Sequence, residues 1–395
     1  MDLNGKCVLL GVSGGIAAYK MANVASALRK LGADVEVIMT KNATQFITPI
    51  TFETLTGHKC MVDTFDRDFK FEVTHISLAK KADVILVAPA TANVIAKMAH
   101  GIADDMLTTQ LMATKAPIFL CPAMNTNMYE NPITQRNMQT LRDLGFHILE
   151  AASGSLACGT SGIGRLPEPV DIVNWLSFHV GRTDLLADKT VIVTAGGTRE
   201  AIDPVRYIGN HSSGKMGYAV AAQAAMAGAR TILISAPTSL EVPYGVEYVP
   251  VDSAEAMKAA VDARYEEADA VIMTAAVADF KVENAASSKI KKMDTLDLHL
   301  VKNPDILKGL GERKTHQKLI GFAAETNDVI EYGKTKVLTK NLDMLVANDV
   351  SKKNIGFNAD DNEVTFIYPG GQIVNLPLMT KNDVAKRIIS ALAEL

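Results

Sequence analysis

Short apolar runs, set apart by glycine-bearing turns and by longer stretches of helical spacing, organise this chain. Residues 6–39 read as a strand Lys6–Val12, a Ser13-Gly14-Gly15 turn, a helix to Lys30, a Leu31-Gly32-Ala33 turn and a strand Val35–Met39. Residues 189–234 repeat the plan, with strand Lys189–Ala195, Gly196-Gly197, a helix through Ala219–Ala227, Gly228-Ala229 and strand Thr231–Ile234. A second echo follows, Ala82–Asn93 against Ala268–Asp279, each an apolar run opening into small residues. Runs apolar at every position, alternating with helices, predict α/β units whose parallel sheets are covered on both faces. Ligands of such sheets sit beyond the carboxyl ends of the strands. The loops after residues 12, 88, 121, 194 and 275 are therefore the candidate sites. A helix Val170–Val180 followed by the turn Gly181–Asp184 puts the boundary near 185–190, giving domains 1–190 and 191–395.

Composition narrows the classes. At about 150 residues per domain, 395 residues predict two or three domains. Hydrophobic residues make up 48% and charged residues 21%, which excludes disordered, collagenous and disulfide-scaffold chains. Net charge is −4, so no basic field awaits a nucleic-acid backbone. No apolar run approaches the ~20 residues a bilayer requires, and Met1–Lys6 lacks a basic-then-apolar signal layout. The four cysteines (Cys7, Cys60, Cys121, Cys158) form no C-x-x-C pair, which fits a reducing cytoplasm.

The glycine turns carry the first chemistry. Neither Gly11–Gly15 nor Gly196–Glu200 matches G-x-G-x-x-G, so a mononucleotide or phosphorylated ligand is favoured over a dinucleotide. A tight structural turn explains the same residues equally well. Gly209–Lys215 fits G-x-x-x-x-G-K, but Met216 stands where a hydroxyl would hold Mg²⁺. That leaves a phosphate-binding nest without P-loop ATPase chemistry. In the first half, His75 precedes the Ala82 run, Asn125 and Met128 sit in the loop after Ile118–Cys121, and Cys158 and Arg165 lie in a glycine-rich flap. Each has a bland reading as a surface residue or turn.

Together these motifs resemble a known family. Pro89-Ala-Thr-Ala-Asn93, Pro122-Ala-Met-Asn125-x-x-Met128 and Ala157-Cys158-Gly159 with Gly164-Arg165 are similar to the homo-oligomeric flavin-containing cysteine decarboxylases. Ala195–Glu200, Asn210–Gly217, Ala275–Asp279, Lys289–Lys292, Lys302–Ile306 and Gly321–Thr326 resemble phosphopantothenate–cysteine ligase. In this order the chain resembles, over essentially its whole length, the bacterial bifunctional phosphopantothenoylcysteine decarboxylase/phosphopantothenate–cysteine ligases of coenzyme A biosynthesis. Thr91, Gly15 and Tyr129 depart from the commoner Ser, Ser and Trp of the family, and Tyr129 is expected to keep an aromatic wall.

The resemblance implies two Rossmann-like or flavodoxin-like domains with parallel sheets flanked by helices. In the first, FMN is expected on Ser13, Gly14, Gly15, Thr40, Pro89, Ala90, Thr91 and Asn93. There it oxidises the cysteinyl –CH₂–SH end to a thioaldehyde, after which CO₂ loss leaves an ene-thiolate. His75 matches the family's base or carboxylate-orienting group, Asn125 the carboxylate holder and Cys158 the proton donor, with Arg165 toward the substrate. In the second, CTP activates 4′-phosphopantothenate as an acyl-cytidylate that cysteine attacks. Asn210 matches the residue holding that intermediate and Lys289 the triphosphate lysine. Ala275, Asp279, Asn303, Pro304, Asp305, Ile306, Phe322, Lys336 and Lys340 map onto the nucleotide pocket. Arg206, Ser212 and Gly214 are candidates for the substrate phosphate. Mg²⁺ is expected on the triphosphate, with no protein metal ligands. The resemblance further implies a cytoplasmic homo-oligomer, trimer-based in the decarboxylase and dimeric in the ligase, acting on small molecules rather than nucleic acid or membrane. The competing readings are a flavin-binding regulatory protein, opposed by the intact His75, Asn125 and Cys158, and a NAD(P)-dependent oxidoreductase, opposed by the missing G-x-G-x-x-G.

Overall fold

The computed structural model describes residues 3–65, 74–155, 161–292, 294–325, 329–349 and 359–395. The chain divides into two compact units, Met1–Gly181 and Arg182–Leu395. The break falls after Gly181 rather than after 190, because the intervening segment is sewn to the second unit. Thr183 and Leu186 donate backbone N–H groups to Met226 and Ala227, and Leu186 enters the second core.

In the first unit, β1 (Cys7–Val12), β2 (Asp34–Met39), β3 (Val84–Ala90), β4 (Ile118–Pro122) and β5 (His147–Ile148) form one parallel sheet in the order β2-β1-β3-β4-β5. Every residue of β1, β3 and β4 is buried. Alternation sends Val8, Leu10 and Val12 to a core with Met21, Val24, Leu28 and Trp175. Leu9, Ile85 and Val87 serve the opposite core, with Val94, Leu107 and Tyr129. Two-sided burial is why these strands read as unbroken apolar runs. A short antiparallel ribbon, β6 (Ala152–Ser155) with β7 (Ser161–Arg165), follows the sheet.

At the amino ends of β1 and β2 a charged cluster anchors the helix Thr74–Lys81. Lys81 Nζ lies 2.9 Å from Asp34 Oδ2 and 2.5 Å from Glu36 Oε1, and His58 Nε2 lies 2.7 Å from Asp34 Oδ1. Burial alone would lower the Lys81 pKa, but hydrogen bonds to Glu36 and Asp34 outweigh it and raise it.

The second unit continues with β8 (Thr190–Ala195), the ribbon β9 (Arg199–Ala201) and β10 (Tyr207–Gly209), then β11 (Arg230–Ser235), β12 (Val246–Pro250) and β13 (Ala270–Met273). The ribbon β14 (Phe280–Val282) and β15 (Leu300–Lys302) precedes β16 (Lys318–Glu325) and β17 (Met344–Asp349). Last come β18 (Asp361–Asn362), β19 (Val364–Ile367), β20 (Ile373–Asn375) and β21 (Met379–Thr380). The main sheet runs β12-β11-β8-β13-β16-β17-β19-β20. Its first six strands are parallel and the last two antiparallel. Counting along the chain, the parallel part has the 3-2-1-4-5-6 order of a doubly wound sheet, and the first unit has the 2-1-3-4-5 order of the flavodoxin type. Each order reverses at one point, beside β1/β3 and beside β8/β13. Among the described residues, no helix is long and apolar enough to cross a membrane.

Candidate functional site

The first site is a cleft of about 1080 Å³ at the carboxyl ends of β1, β2, β3 and β4. Ser13, Gly14, Gly15, Thr40, Pro89, Thr91, Asn93, Asn125 and Arg165 line it, which brings expected contacts from five separate segments to one place. The buried Ser13 hydroxyl ties the two switch-point loops together. It donates to the Pro89 carbonyl at 2.6 Å and accepts the Thr91 N–H at 3.0 Å. Thr91 then caps the helix Ala92–Ala99, so this N-terminus, with its free N–H groups, opens beside the cleft. Gly14 is required by close approach: a Cβ there would lie 2.8 Å from the Asn42 backbone carbon. At Gly15 the nearest atom to such a Cβ is Thr91 Cγ2 at 3.8 Å, so the Ser common at this position has room. The volume, the glycine cradle and the helix N-terminus fit a flat phosphorylated cofactor of FMN type.

Not every expected residue takes part. Ala90 is wholly buried in the core and does not line the cleft. Tyr129 is not the aromatic wall: its ring is 4% exposed within the core behind β3, and its hydroxyl donates to Glu150 at 2.6 Å. Met128, its neighbour, faces the cleft instead. Asn125 caps the short helix Thr126–Tyr129, its Oδ1 accepting the Asn127 N–H at 2.9 Å. His75 occupies the second position of the helix Thr74–Lys81, and its side chain lies outside the described residues, as does all of Cys158. The segment bearing Cys158 departs from β6 and returns in β7. That ribbon packs on the Asn125 loop, with Met124 N–H donating to Gly164 at 3.0 Å. The other three thiols are buried, and burial pushes Cys7 to about 11, Cys60 to about 12 and Cys121 higher, which makes them poor proton donors.

Four charged residues that line the cleft, Lys20, Lys41, Lys97 and Asp105, were not among those expected from the sequence. Lys97 lies 2.6 Å from Asp104 and 3.0 Å from Asp105, and these hydrogen bonds raise its pKa. Lys20 pairs with Glu168 at 3.1 Å, and Glu168 also pairs with Arg165. Helical spacing from Asn93 to Lys97 was the available signal, since residues four apart share a helix face.

In the second unit, loops after β8 and β13 interlock at the switch point. Gly197 bridges Ala276, and the Ala276 N–H donates to Gly196 at 2.8 Å. Ala275 N–H donates to Thr194 Oγ1 at 3.2 Å, and Ala278 N–H to Thr198 Oγ1 at 2.9 Å. Asn210 closes over this pair, its Nδ2 donating to the Val277 carbonyl at 3.1 Å, and a Cβ on Gly197 would meet the Asn210 carbonyl oxygen at 2.5 Å. Gly214, at φ 74°, caps the helix Lys215–Met226. Its N–H donates to Ser212 Oγ at 3.3 Å.

Asn303 is locked beside exposed Asp279: its N–H donates to the Asp279 carbonyl and its Nδ2 to Ala278, while its Oδ1 is buried without a partner. Asp305 caps the helix Ile306–Arg313 and pairs with Lys340 at 2.7 Å. Burial would raise its carboxyl pKa, but Lys340 and the Lys308 N–H together hold it below the ordinary value. Pro304 follows Asn303 in the same turn, and Ile306 turns its side chain into the core. Phe322 on β16 is half-buried, Lys336 lies on the helix Val329–Thr339, and Lys289 is exposed. Arg206 is engaged: its Nε and Nη2 donate to Asp203, and Nη2 also to the Ile290 carbonyl.

Comparison with known proteins places these two sites in context. The Flavoprotein family matches residues 1–180, and the DNA/pantothenate metabolism flavoprotein C-terminal domain matches residues 186–395. The chain is 49% identical to the coenzyme A biosynthesis bifunctional protein CoaBC of Bacillus subtilis (strain 168), covering 100% of this chain and 98% of that protein. It is 45% identical to the CoaBC protein of Escherichia coli (strain K12), covering 96% and 95% respectively. Among solved structures, the C-terminal domain of a CoaBC protein is 43% identical, with a TM-score of 0.47, and covers 54% of this chain and 97% of that domain. Similarity of this extent, through both halves in one order, establishes that the chain belongs to the family of coenzyme A biosynthesis bifunctional proteins.

Proposed function

We propose that this chain carries out two consecutive reactions of coenzyme A biosynthesis, joining 4′-phosphopantothenate to L-cysteine with CTP and then decarboxylating the product to 4′-phosphopantetheine. The observation that carries this reading is that each unit gathers its own set of motif residues at its own topological switch point.

In the second unit, amide formation needs a carboxylate with a better leaving group than oxide. CTP, with Mg²⁺ on its triphosphate, supplies one: the carboxylate takes the cytidylyl group with release of pyrophosphate, and CMP then leaves as the cysteine amine attacks the acyl-cytidylate. Asn210 orients that intermediate over the Ala275–Asp279 loop. Lys289, Lys336 and Lys340 neutralise phosphate charge as it shifts toward pyrophosphate. The Asn303–Ile306 turn and Phe322 hold the nucleoside end, and Ser212 and Gly214 the substrate phosphate.

In the first unit, the Ser13–Gly15, Thr40 and Pro89–Asn93 segments would hold FMN, whose chemistry when bound would be to take two electrons from the cysteinyl thiol carbon, so that the carboxylate can depart as CO₂, and to return both to the decarboxylated product. Asn125 holds that carboxylate through its amide. His75 moves the proton between the thiol end and solvent. Cys158 protonates the ene-thiolate carbon after CO₂ departs, a role suited to an ordinary thiol near pKa ~8.5. Arg165 and Lys20 offer positive charge for an anionic substrate at the mouth.

With 4′-phosphopantothenate, L-cysteine and CTP, the protein is expected to release CMP, pyrophosphate and CO₂. Cys158→Ser should keep its flavin and its pyrophosphate release while the oxidised, decarboxylated product accumulates and turnover falls about 10²- to 10⁴-fold. Wild-type turnover by Cys158→Ser would remove it as the proton donor.

A further inference from the structure

We propose that Asp203 is a positioning residue for the ligase reaction: with Arg206 it clamps the Lys289 segment against the ribbon that leads into Asn210. This rests on the reading of Lys289 as the triphosphate lysine. Asp203 is 3% exposed, and its two carboxylate oxygens do different jobs. Oδ1 accepts the backbone N–H groups of Val205 at 2.8 Å and Arg206 at 2.9 Å, which shapes the turn between β9 and β10. Oδ2 accepts Arg206 Nε at 3.0 Å and Nη2 at 2.5 Å, and also the N–H of Ile290 at 3.1 Å, far along the chain. Arg206 Nη2 completes the grip on the Ile290 carbonyl at 2.8 Å, and Ala286 N–H donates to the Ile202 carbonyl at 2.9 Å. Both backbone groups of the residue after Lys289 are thus taken by one acid–base pair.

A turn of this kind needs only Oδ1. The second oxygen therefore serves the contact between segments, at the cost of burying a charge that Arg206 must neutralise. The segment it holds carries Lys289, Lys291 and Lys292, all exposed. Three like charges repel one another and resist a fixed geometry, so docking the backbone beneath them is what gives Lys289 a defined position. The same ribbon delivers Asn210 directly after β10. One carboxylate thereby sets the spacing between the residue that holds the intermediate and the residue that meets the phosphates. Arg206 contributes through this clamp as well as by its charge.

The test uses the full chain and Asp203→Asn, which keeps an acceptor at Oδ1 but puts an NH₂ group against the Ile290 N–H. Lys289→Gln is the reference. Three quantities are compared: native-state trypsin cleavage after Lys289, the ligase kcat and KM for CTP and for cysteine, and CO₂ release from phosphopantothenoylcysteine as a check on folding. Loss of hydrogen bonds to a charged group corresponds to about a ten- to hundredfold effect. Asp203→Asn should raise the cleavage rate and lower kcat/KM for CTP by about that factor, leaving KM for cysteine and CO₂ release near wild type. Unchanged cleavage overturns the clamp, whatever the ligase kinetics. Faster cleavage with unchanged CTP kinetics, and an active Lys289→Gln, overturns instead the reading of Lys289 and with it the functional role of Asp203. If Asp203→Asn loses both activities through misfolding, Ile290→Pro, which removes the clamped N–H, is held to the same outcomes, with cleavage read after Lys291 and Lys292 because trypsin does not cut a Lys–Pro bond.

Discussion

Gly14 and Gly15 sit side by side in the first cleft, yet the structure gives them opposite tolerance. A methyl group on Gly14 would press into the Asn42 backbone at 2.8 Å, whereas Gly15 leaves 3.8 Å to Thr91 Cγ2. Gly14→Ala should therefore shift the loop after β2, cost about 1–3 kcal/mol by overpacking, and purify with its visible flavin absorbance largely lost. Gly15→Ser should keep both stability and flavin. A yellow Gly14→Ala protein of unchanged stability would show that the loop yields without harm. The sequence marked both glycines alike, because the atom that separates them belongs to Asn42, distant in sequence and brought near only by the parallel pairing of β1 with β2. Tyr129 illustrates the same limit from the other side. Its place in the Asn125 loop suggested a wall of the site. The turn of the short helix instead sends the ring into the core and leaves Met128 facing the cleft.

At the scale of elements, parallel sheets were legible because two-sided burial demands uninterrupted apolar runs, and the strand-end loops follow from that geometry. Long-range polar joints were not. Asp34, Glu36, His58 and Lys81 come from three segments that no spacing rule connects. They nevertheless fix the carboxyl end of the helix whose second residue is His75. Lys81→Met would strand Glu36, whose side chain is 10% exposed, beside Asp34. Allowing for the partly exposed ammonium, the expected cost at pH 7 is about 1–3 kcal/mol. The sign with pH follows from Asp34, whose carboxyl is held below its ordinary value chiefly by the hydrogen bond from Lys81. A depressed carboxylate stabilises the fold above its unfolded pKa of ~4 and ceases to do so as pH falls through the folded value. The difference between wild type and Lys81→Met in urea should thus shrink between pH 5 and 3. A difference independent of acid pH would mean that packing of the lysine stem, not its charge, is what matters.

The whole molecule is two units, each with cores of its own: clusters built on β1 and β3 in one, on β8 and β13 in the other. The ligand site proposed for each unit lies at that unit's own switch point, so ligand binding is expected to stabilise the two separately. A ligand that binds only the folded form adds about 2.7 kcal/mol at a hundredfold excess over its Kd. The chain's single tryptophan, Trp175, is buried in the first unit against Phe119, which makes its fluorescence a reporter of that unit alone. Reconstitution of flavin-depleted protein with FMN should move the tryptophan transition to higher temperature and leave a second transition, seen by far-ultraviolet circular dichroism, in place. CTP with Mg²⁺ should do the reverse. If either ligand moved both transitions together, the units would unfold as one cooperative body, and stabilisation gained at the nucleotide site would then reach the flavin cleft. Independent shifts would instead confine each ligand's effect on stability to the unit that binds it.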